Sequence, residues 1–375
     1  MYFETCIESQ IKLKDNCMKV ISSPKSFSNN NFDLLRILAA TQVLIYHAVN
    51  HLHLTKFPGF TIFSSLPGVS MFFAISGYLI SASYERNGDL KNYFRNRFLR
   101  IYPALWFCII LTVITTTIVG GISFINKQAV VWFISQLVGG IYTPGFLKSY
   151  GIGSYNSSLW TIPVELQFYI VLPVVYFLVN YLFRKRPASN LPFYIIWGLF
   201  FALAIVLWTK FPTMYSETAG GMIKLLRYSF MPHFYLFLTG MMLQRLKAYQ
   251  SPLIANKGLY WLIIYLLFVQ FVPHSQLEML VSLVLLAIFS ISLAYTLPGI
   301  SKKLLKGNDI SYGVYIYHGL ILNVIVQLKL FGDYKYLALL MAITFILAFA
   351  SWKFIEEPIL KRKKKTINVE LKEVA

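Results

Sequence analysis

The chain has 375 residues, of which 57% are hydrophobic and 13% are charged, and its mean hydropathy is positive. Soluble domains contain about 45–50% apolar and about 25% charged residues, so this composition excludes an ordinary soluble protein. Apolar stretches of roughly twenty residues, the length of a membrane-crossing helix, recur along the whole chain. The sequence therefore predicts an all-α integral membrane protein.

The formal net charge of +19 is compatible with nucleic-acid binding, but it has a simpler explanation in a membrane protein. Cytoplasmic loops of such proteins carry an excess of Lys and Arg. We therefore expect no nucleic-acid partner. The three cysteines form no metal-binding spacing, and we expect no metal.

Ten apolar stretches predict transmembrane helices, and an eleventh is too short and too rich in glycine. The ten are residues 33–53, 66–84, 98–120, 160–183, 193–211, 227–246, 258–273, 276–297, 310–330 and 335–356. If the eleventh, 129–142, does not cross, 24 of the 34 basic residues lie in cytoplasmic segments and 7 lie outside. This balance predicts a re-entrant or interfacial segment at 129–142, with both termini cytoplasmic. Non-helical backbone at that depth must line a cavity or be buried, so residues 129–159 are a candidate wall of a site.

The sequence predicts one membrane domain between two tails. Residues 1–31 lack the features of a signal peptide and are predicted to form a cytoplasmic tail. The transmembrane domain is predicted over 32–358, and a charged cytoplasmic tail over 359–375.

The first predicted span contains two ionisable residues in the segment "RILAATQVLIYH". Arg36 and His47 are eleven residues apart, which in a helix places them on one face and about 16 Å apart. Arg36 could extend to the headgroups, and His47 could form a structural hydrogen bond. A buried imidazole is alternatively suited to proton transfer, because its ordinary pKa lies near 6.5.

Other polar residues fall at the ends of later spans. Arg97 and Arg100 are three apart in "RNRFLR", so they could form a phosphate site or an ordinary cytoplasmic anchor. Glu165 lies just inside the fourth span, where a carboxylate needs a partner. His318 lies in the ninth span, above Tyr312, and is compatible with a buried structural histidine.

Two further segments have a structural and a functional interpretation. The acidic pair of "FIEEP", Glu356 and Glu357, is predicted to pair with basic groups at the cytoplasmic face. The small residues of "FFAISGYLI", including Ser76 and Gly77, favour close approach of two helices and could also leave space for a narrow ligand.

In this order the segments resemble membrane-bound acyltransferase family 3, bacterial enzymes that O-acylate carbohydrates. The resemblance covers about residues 30–358 and is most specific in "NFDLLRILAATQVLIYH", "FFAISGYLI", "RNRFLR", "SLWTIPVELQFY", "DISYGVYIYH" and "EEP". The family's ten-span core with cytoplasmic ends agrees with the charge count.

The resemblance implies a role for each matching residue. His47 would be the essential histidine and general base, with Arg36 as its companion. Glu165, predicted at about the same depth as His47, would be the carboxylate beside the reaction centre that orients His47 and stabilises its imidazolium. Arg97 and Arg100 would bind acyl-CoA. Residues expected to line the site are Ser76, Trp160, Tyr312 and His318.

The implied reaction moves an acyl group from cytoplasmic acyl-CoA to a hydroxyl of an extracytoplasmic or lipid-linked carbohydrate. Acetyl-CoA is the default donor, and succinyl or longer acyl groups remain open. The expected partners are acyl-CoA, a carbohydrate acceptor and membrane lipid, and the expected location is the bacterial inner membrane. The sequence departs from the family in two ways: we expect no fused extracytoplasmic hydrolase-like domain, and Glu357 stands where basic residues are common.

The main alternative is a proton-coupled transporter or flippase for a lipid-linked sugar. In that case Arg36, His47 and Glu165 would form a proton relay. This hypothesis predicts inverted repeats between the two halves of the chain, and no such symmetry is evident in the sequence.

Overall fold

The computed structural model describes residues 27–86, 88–183, 189–214, 220–272 and 275–361. Throughout these residues the secondary structure is helical, without a β-strand. Most of the two predicted cytoplasmic tails lies outside the described residues. The helices are α1 Phe32–His51, α2 Phe60–Ser64, α3 Gly68–Arg86, α4 Leu90–Gly120, α5 Lys127–Leu137, α6 Thr161–Leu182, α7 Leu191–Lys210, α8 Gly221–Arg227, α9 Phe234–Arg245, α10 Gly258–Phe271, α11 Gln276–Ala294, α12 Ile300–Leu305, α13 Ser311–Gln327 and α14 Tyr334–Ser351, with a π-helical turn at Trp352–Glu356.

Within the described ranges, seven helical segments are long and apolar enough to cross a membrane: Phe32–His51, Phe60–Arg86, Leu90–Gly120, Ser157–Leu182, Leu191–Lys210, Gln276–Ala294 and Tyr334–Lys361. Their outer faces expose large apolar side chains, for example Ile118 and Leu199, as lipid contact requires. The chain is therefore a multi-pass membrane protein.

The remaining three predicted spans correspond to shorter helices. Helices α9, α10 and α13 have 12, 14 and 17 residues. The prediction of one continuous span over 227–246 is wrong, because residues 228–233 separate α8 from α9.

Helices α3 and α9 form the closest helix pair, and glycine makes this packing possible. A Cβ atom on Gly77 would lie 1.9 Å from the carbonyl oxygen of Phe237, and one on Gly240 equally close to that of Ala74. The two backbones are therefore in direct contact, which confirms the interpretation of "FFAISGYLI" as a close-packing segment.

The segment between α4 and α6 runs along α4 and then returns. Near both of its ends this segment lies next to the C-terminal end of α4, where the ring of Tyr150 packs against Gly120. The turn in the middle of the segment lies closer to the N-terminal end of α4, since Tyr102 and Trp106 donate hydrogen bonds to the carbonyls of Val138 and Leu137. Fourteen helical residues separate Trp106 from Gly120, or about 21 Å.

Candidate functional site

Helices α1 and α13 bring the two predicted histidines into contact. Nδ1 of His47 lies 3.1 Å from Nε2 of His318. His47 is half-buried, whereas His318 is fully buried in the core. The structure therefore joins a predicted catalytic residue to a residue that was predicted only to line the site.

The hydrogen bonds of His318 determine the direction of this contact. Its Nδ1 lies 3.2 Å from the carbonyl oxygen of Val314, which can only accept. In a neutral imidazole the other nitrogen, Nε2, is then an acceptor. Consequently Nδ1–H of His47 donates to His318, and the lone pair of His47 is on Nε2. A neutral histidine held in this tautomer has its basic nitrogen directed away from its partner.

At the other end of α1, one carboxylate binds two arginines. Oδ2 of Asp309 accepts from Nη1 of Arg36 at 2.9 Å and from Nη2 of Arg100 at 2.5 Å. Its Oδ1 accepts from the hydroxyl of Ser311 at 2.5 Å and from that residue's N–H at 3.3 Å. Burial alone raises the pKa of Asp309, but the two arginines and Ser311 outweigh it and lower the pKa to about 2.

Arg100 is further held by the end of α14. Its Nη1 lies 3.6 Å from Oε2 of Glu356, which is 1% exposed, and its guanidinium stacks on Tyr312 and Trp352. The π-helical turn that follows α14 positions both Trp352 and Glu356 on this arginine. The prediction that the acidic pair binds basic groups is confirmed, because Glu357 also pairs with lysines on its own helix.

Arg97 has a different environment. Its guanidinium lies over the rings of Tyr93 and Tyr169, and Nη2 is 3.4 Å from the hydroxyl of Ser83. Its buried Nε has no hydrogen-bond partner among the residues that the structure describes. The two predicted phosphate ligands are therefore not equivalent, since only Arg100 is held in ion pairs.

A narrow cavity of about 40 Å³ lies between α1, α3, α6 and α13. We call it the narrow cavity. Its lining residues are Arg36, Val69, Phe72, Phe73, Ser76, Thr161, Ile162, Glu165, Tyr312 and Tyr315. The four residues from α3 follow helical spacing and so form one face of that helix. A cavity of this volume has space for a few water molecules or a narrow chain, but not for a sugar ring or a nucleotide.

One arginine lines the narrow cavity, and two others contact aromatic residues in or beside its lining. Arg36 lines it directly, and Arg100 stacks on Tyr312, a lining residue. Arg97 stacks on Tyr169, whose hydroxyl donates to Oε1 of Glu165. Two predicted site-lining residues, Ser76 and Tyr312, therefore do line this cavity.

The histidine pair adjoins the same cavity through an aromatic ring. Tyr315 lines the cavity, and its ring centroid lies 5.8 Å from that of His318. Glu165 lines the cavity itself and has Tyr169 as its hydrogen-bond partner, whereas the partner of His47 is His318. Trp160 lines a different, wider cavity.

The predicted wall segment approaches the site next to His318. A Cβ on Gly319 would lie 2.1 Å from Oδ1 of Asn156, so only glycine allows this contact. Asn156 also donates to the carbonyl of Ile316 at 2.8 Å. The loop before α6 thus supports α13 where it carries the histidine.

Sequence reasoning missed two contributors. Asp309 was not identified as the shared partner of Arg36 and Arg100, although an aspartate just before a span is a detectable signal. Tyr315, which links the cavity to His318 and accepts a hydrogen bond from Thr161 at 2.9 Å, gave no distinctive signal among the chain's 25 tyrosines.

Comparison with known proteins places this arrangement among acyltransferases. A family model described as "Acyltransferase domain" matches residues 29–353. Nodulation protein 10 of Rhizobium leguminosarum bv. viciae is 30% identical over 88% of this chain and 93% of its own length. The O-acetyl transferase of Shigella phage Sf6 is 26% identical over 91% of this chain and 99% of its own length.

A third relative is longer than the matched region. The peptidoglycan O-acetyltransferase OatA of Listeria monocytogenes is 27% identical over 88% of this chain. The match covers 56% of the length of OatA. Among solved structures there is no significant match. The transporter hypothesis gains no support from these relatives, since the two whose names state a reaction are acetyltransferases.

Proposed function

This chain belongs to the acyltransferase family whose model covers residues 29–353, and on that premise we propose that it O-acylates a carbohydrate across the membrane. The donor is cytoplasmic acyl-CoA, with acetyl as the default group, and the acceptor is an extracytoplasmic or lipid-linked glycan. The observation that carries this proposal is the narrow cavity, which has arginines at one end and the His47–His318 pair near the other.

The proposed topology has ten spans in the inner membrane of a bacterium, with both termini cytoplasmic. Contacts between helix ends support it. Glu85 at the end of α3 pairs with Arg245 at the end of α9, and Arg245 donates to Asn190 before α7. At the opposite face, Gly332 before α14 donates to the carbonyl of Leu52 after α1. In the ten-span topology each of these contacts joins two helix ends on the same side of the membrane.

The segment containing α5 is proposed to be re-entrant. An 11-residue helix extends about 16 Å, roughly half of the hydrocarbon core. Its turn reaches Tyr102 and Trp106, and the chain returns toward the end of α13, where Gly151 donates to Gln327 at 2.9 Å. Entry and return on one side keep the later basic clusters cytoplasmic.

The donor is proposed to bind with its nucleotide at the cytoplasmic face. Guanidinium groups bind phosphates through paired hydrogen bonds. Arg36 lines the cavity, and Arg97 and Arg100 each stack on a tyrosine in or beside its lining. The uncharged pantetheine arm would enter between the helices at this cavity and extend along α3 toward His47. The phosphates then stay in water and only the thioester arm enters the membrane.

His47 is proposed to be the general base. Its Nε2 takes the proton of the acceptor hydroxyl while the hydroxyl oxygen attacks the thioester carbonyl. The C–S bond breaks, and the imidazolium returns the proton to the departing CoA thiolate. His318 holds the reactive tautomer through its Nε2, the function that a carboxylate serves in a catalytic triad.

Glu165 is proposed to serve the donor arm rather than the imidazole. Its carboxylate faces the narrow cavity and accepts from Tyr169, so it can also accept from an amide N–H of pantetheine. This assignment revises the expectation that Glu165 stabilises the imidazolium of His47.

The test is the O-acetyl content of surface and lipid-linked glycans, measured by mass spectrometry in cells with the gene intact, deleted, or carrying His47→Ala at matched expression. Loss of an O-acyl mass from one glycan in both mutants is expected and would identify the acceptor. The control is His53→Asn, because His53 is exposed and asparagine tolerates its positive φ of 51°. An unchanged acyl pattern after deletion would overturn the proposal.

A further inference from the structure

A second cavity of about 480 Å³ adjoins the narrow cavity along α3. We call it the wide cavity. Its volume falls in the range of small-molecule sites, about 300–1,000 Å³. It is formed where α3, α9 and α11 begin and where α7 and α10 end. In the proposed topology all five of these helix ends are extracytoplasmic.

The two cavities share a wall. Val69 and Phe73, one helical turn apart on α3, line both of them. The neighbouring Gly68 packs against α1, since a Cβ on Gly68 would lie 2.2 Å from the carbonyl oxygen of Ala39 and 3.0 Å from Cγ2 of Val43. His47 lies four residues beyond Val43 and eight beyond Ala39 on α1. The shared wall therefore begins about 6–12 Å from the level of the histidine pair along α1.

The lining of the wide cavity combines aromatic rings with neutral polar groups. Trp160, Trp208 and Tyr265 contribute aromatic surface, and Ser70, Ser282 and His233 contribute hydrogen-bonding groups. Sugar rings have apolar C–H faces and hydroxyl edges, and sites of this mixed character suit them.

The charges of the wide cavity distinguish it from the donor site. Among the described residues that line it there is no Lys or Arg, and the single charged group is Glu278. A CoA nucleotide carries several negative charges and finds no cation in this lining, since the guanidinium of Arg227 lies over the ring of Trp160 and is not itself a lining group. A neutral glycan needs none.

We propose that the wide cavity is the acceptor site and holds one or two sugar rings of the glycan, with the reactive hydroxyl directed past Val69 and Phe73 to the thioester. This inference rests on the proposed function and adds the location of the acceptor. The hydroxyl oxygen forms the new ester bond, and the proton transfers as described for His47.

The experiment fills the cavity and leaves the arginine end untouched. Met279→Trp and Ser282→Trp each place bulk in the wide cavity, and Leu277→Trp adds the same side chain to a half-exposed position of α11 outside it. Phe268→Ala instead enlarges the cavity, so it tests the site without added bulk. Two quantities are measured: glycan O-acetyl content in cells, and acetyl-CoA binding by calorimetry to the purified full chain in nanodiscs.

The cavity-filling variants are expected to lower O-acetyl content about tenfold, with acetyl-CoA affinity changed less than about twofold. Phe268→Ala should also lower the O-acetyl content, and Leu277→Trp should match the wild type in both measurements. Wild-type O-acetyl content in both filling variants would overturn the acceptor site. Loss of acetyl-CoA affinity in those variants would show that the cavity holds the donor's acyl group instead. A failure of the proposed function appears separately, as equal O-acetyl content with and without the gene.

Discussion

The carbonyl of Val314 makes His318 the acceptor and His47 the donor in their 3.1 Å contact. A backbone carbonyl cannot donate, so Nδ1 of His318 must carry its proton and Nε2 its lone pair. This fixes the tautomer of His47 without a charged partner. In a low-dielectric membrane interior, a neutral partner avoids the cost of burying a carboxylate.

Replacement of His318 tests this positioning role. His318→Ala removes the acceptor and should lower kcat about 100-fold with the KM for acetyl-CoA unchanged. His318→Gln places an amide oxygen near the same position and should recover about tenfold of that loss, because the oxygen can accept from His47. Steady-state transfer to the identified acceptor measures both values. Equal activity of the two variants would show that the residue only fills space.

The ion pairs of Asp309 predict a contribution to stability that is present at neutral pH. Asp309→Asn should lower the free energy of unfolding by about 3 kcal/mol, because two partly buried arginines lose their shared carboxylate. The pKa of Asp309 is lowered to about 2, so the carboxylate stays ionised at neutral pH and its contribution is lost only in strong acid. The melting temperature of the variant in nanodiscs should therefore lie below that of the wild type at about pH 7. Equal melting temperatures of the two proteins at that pH would contradict the ion-pair assignment.

Replacement of Arg97 and replacement of Arg100 should differ in their effects on stability. Arg97→Ala should weaken acetyl-CoA binding about tenfold and leave the melting temperature close to that of the wild type, because this arginine has no ion pair in the described structure. Arg100→Ala should weaken binding and also lower the melting temperature, because Asp309 and Glu356 lose a partner. Calorimetry and thermal unfolding check both. Unchanged affinity in Arg97→Ala would remove it from the donor site.

The contact between α3 and α9 should not accept even a methyl group. Gly77→Ala would place Cβ 1.9 Å from the carbonyl oxygen of Phe237 and should cost about 3 kcal/mol or prevent folding. Gly198→Ala is the matched control, since nothing lies within 4 Å of its Cβ position. Thermal unfolding and the yield of monodisperse protein compare the two. Similar behaviour of both variants would mean that the helices do not pack this closely.

Reporter fusions test the re-entrant segment. A reporter inserted near residue 150 should be extracytoplasmic and one near residue 190 cytoplasmic, because one span, α6, separates them and α5 does not cross. A fusion after residue 250 should again be cytoplasmic. The reversed result at the first two positions would require α5 to span the membrane.

Local pattern was sufficient to predict most of the helices and which of their side chains share a face. The spacing of Arg36 and His47 placed them on one face of α1 because helical geometry repeats along any helix, whatever packs against it. The exception was the stretch 227–246, where the sequence is apolar throughout although the helix is interrupted between α8 and α9. Hydropathy measures compatibility with lipid and does not detect an interruption of backbone hydrogen bonding.

The pairing of residues distant in the chain depended on tertiary structure. Depth alone suggested Glu165 as the partner of His47, whereas helix packing brought His318 to it from 271 residues away. Arg36 and Arg100 likewise share Asp309. An aspartate just before a span can be noticed in the sequence, but its two arginine partners cannot be inferred from local charge or spacing. A single helix sets the height and direction of each side chain. Which helices are neighbours depends on contacts such as Gly77 against Phe237, and these come from the whole bundle.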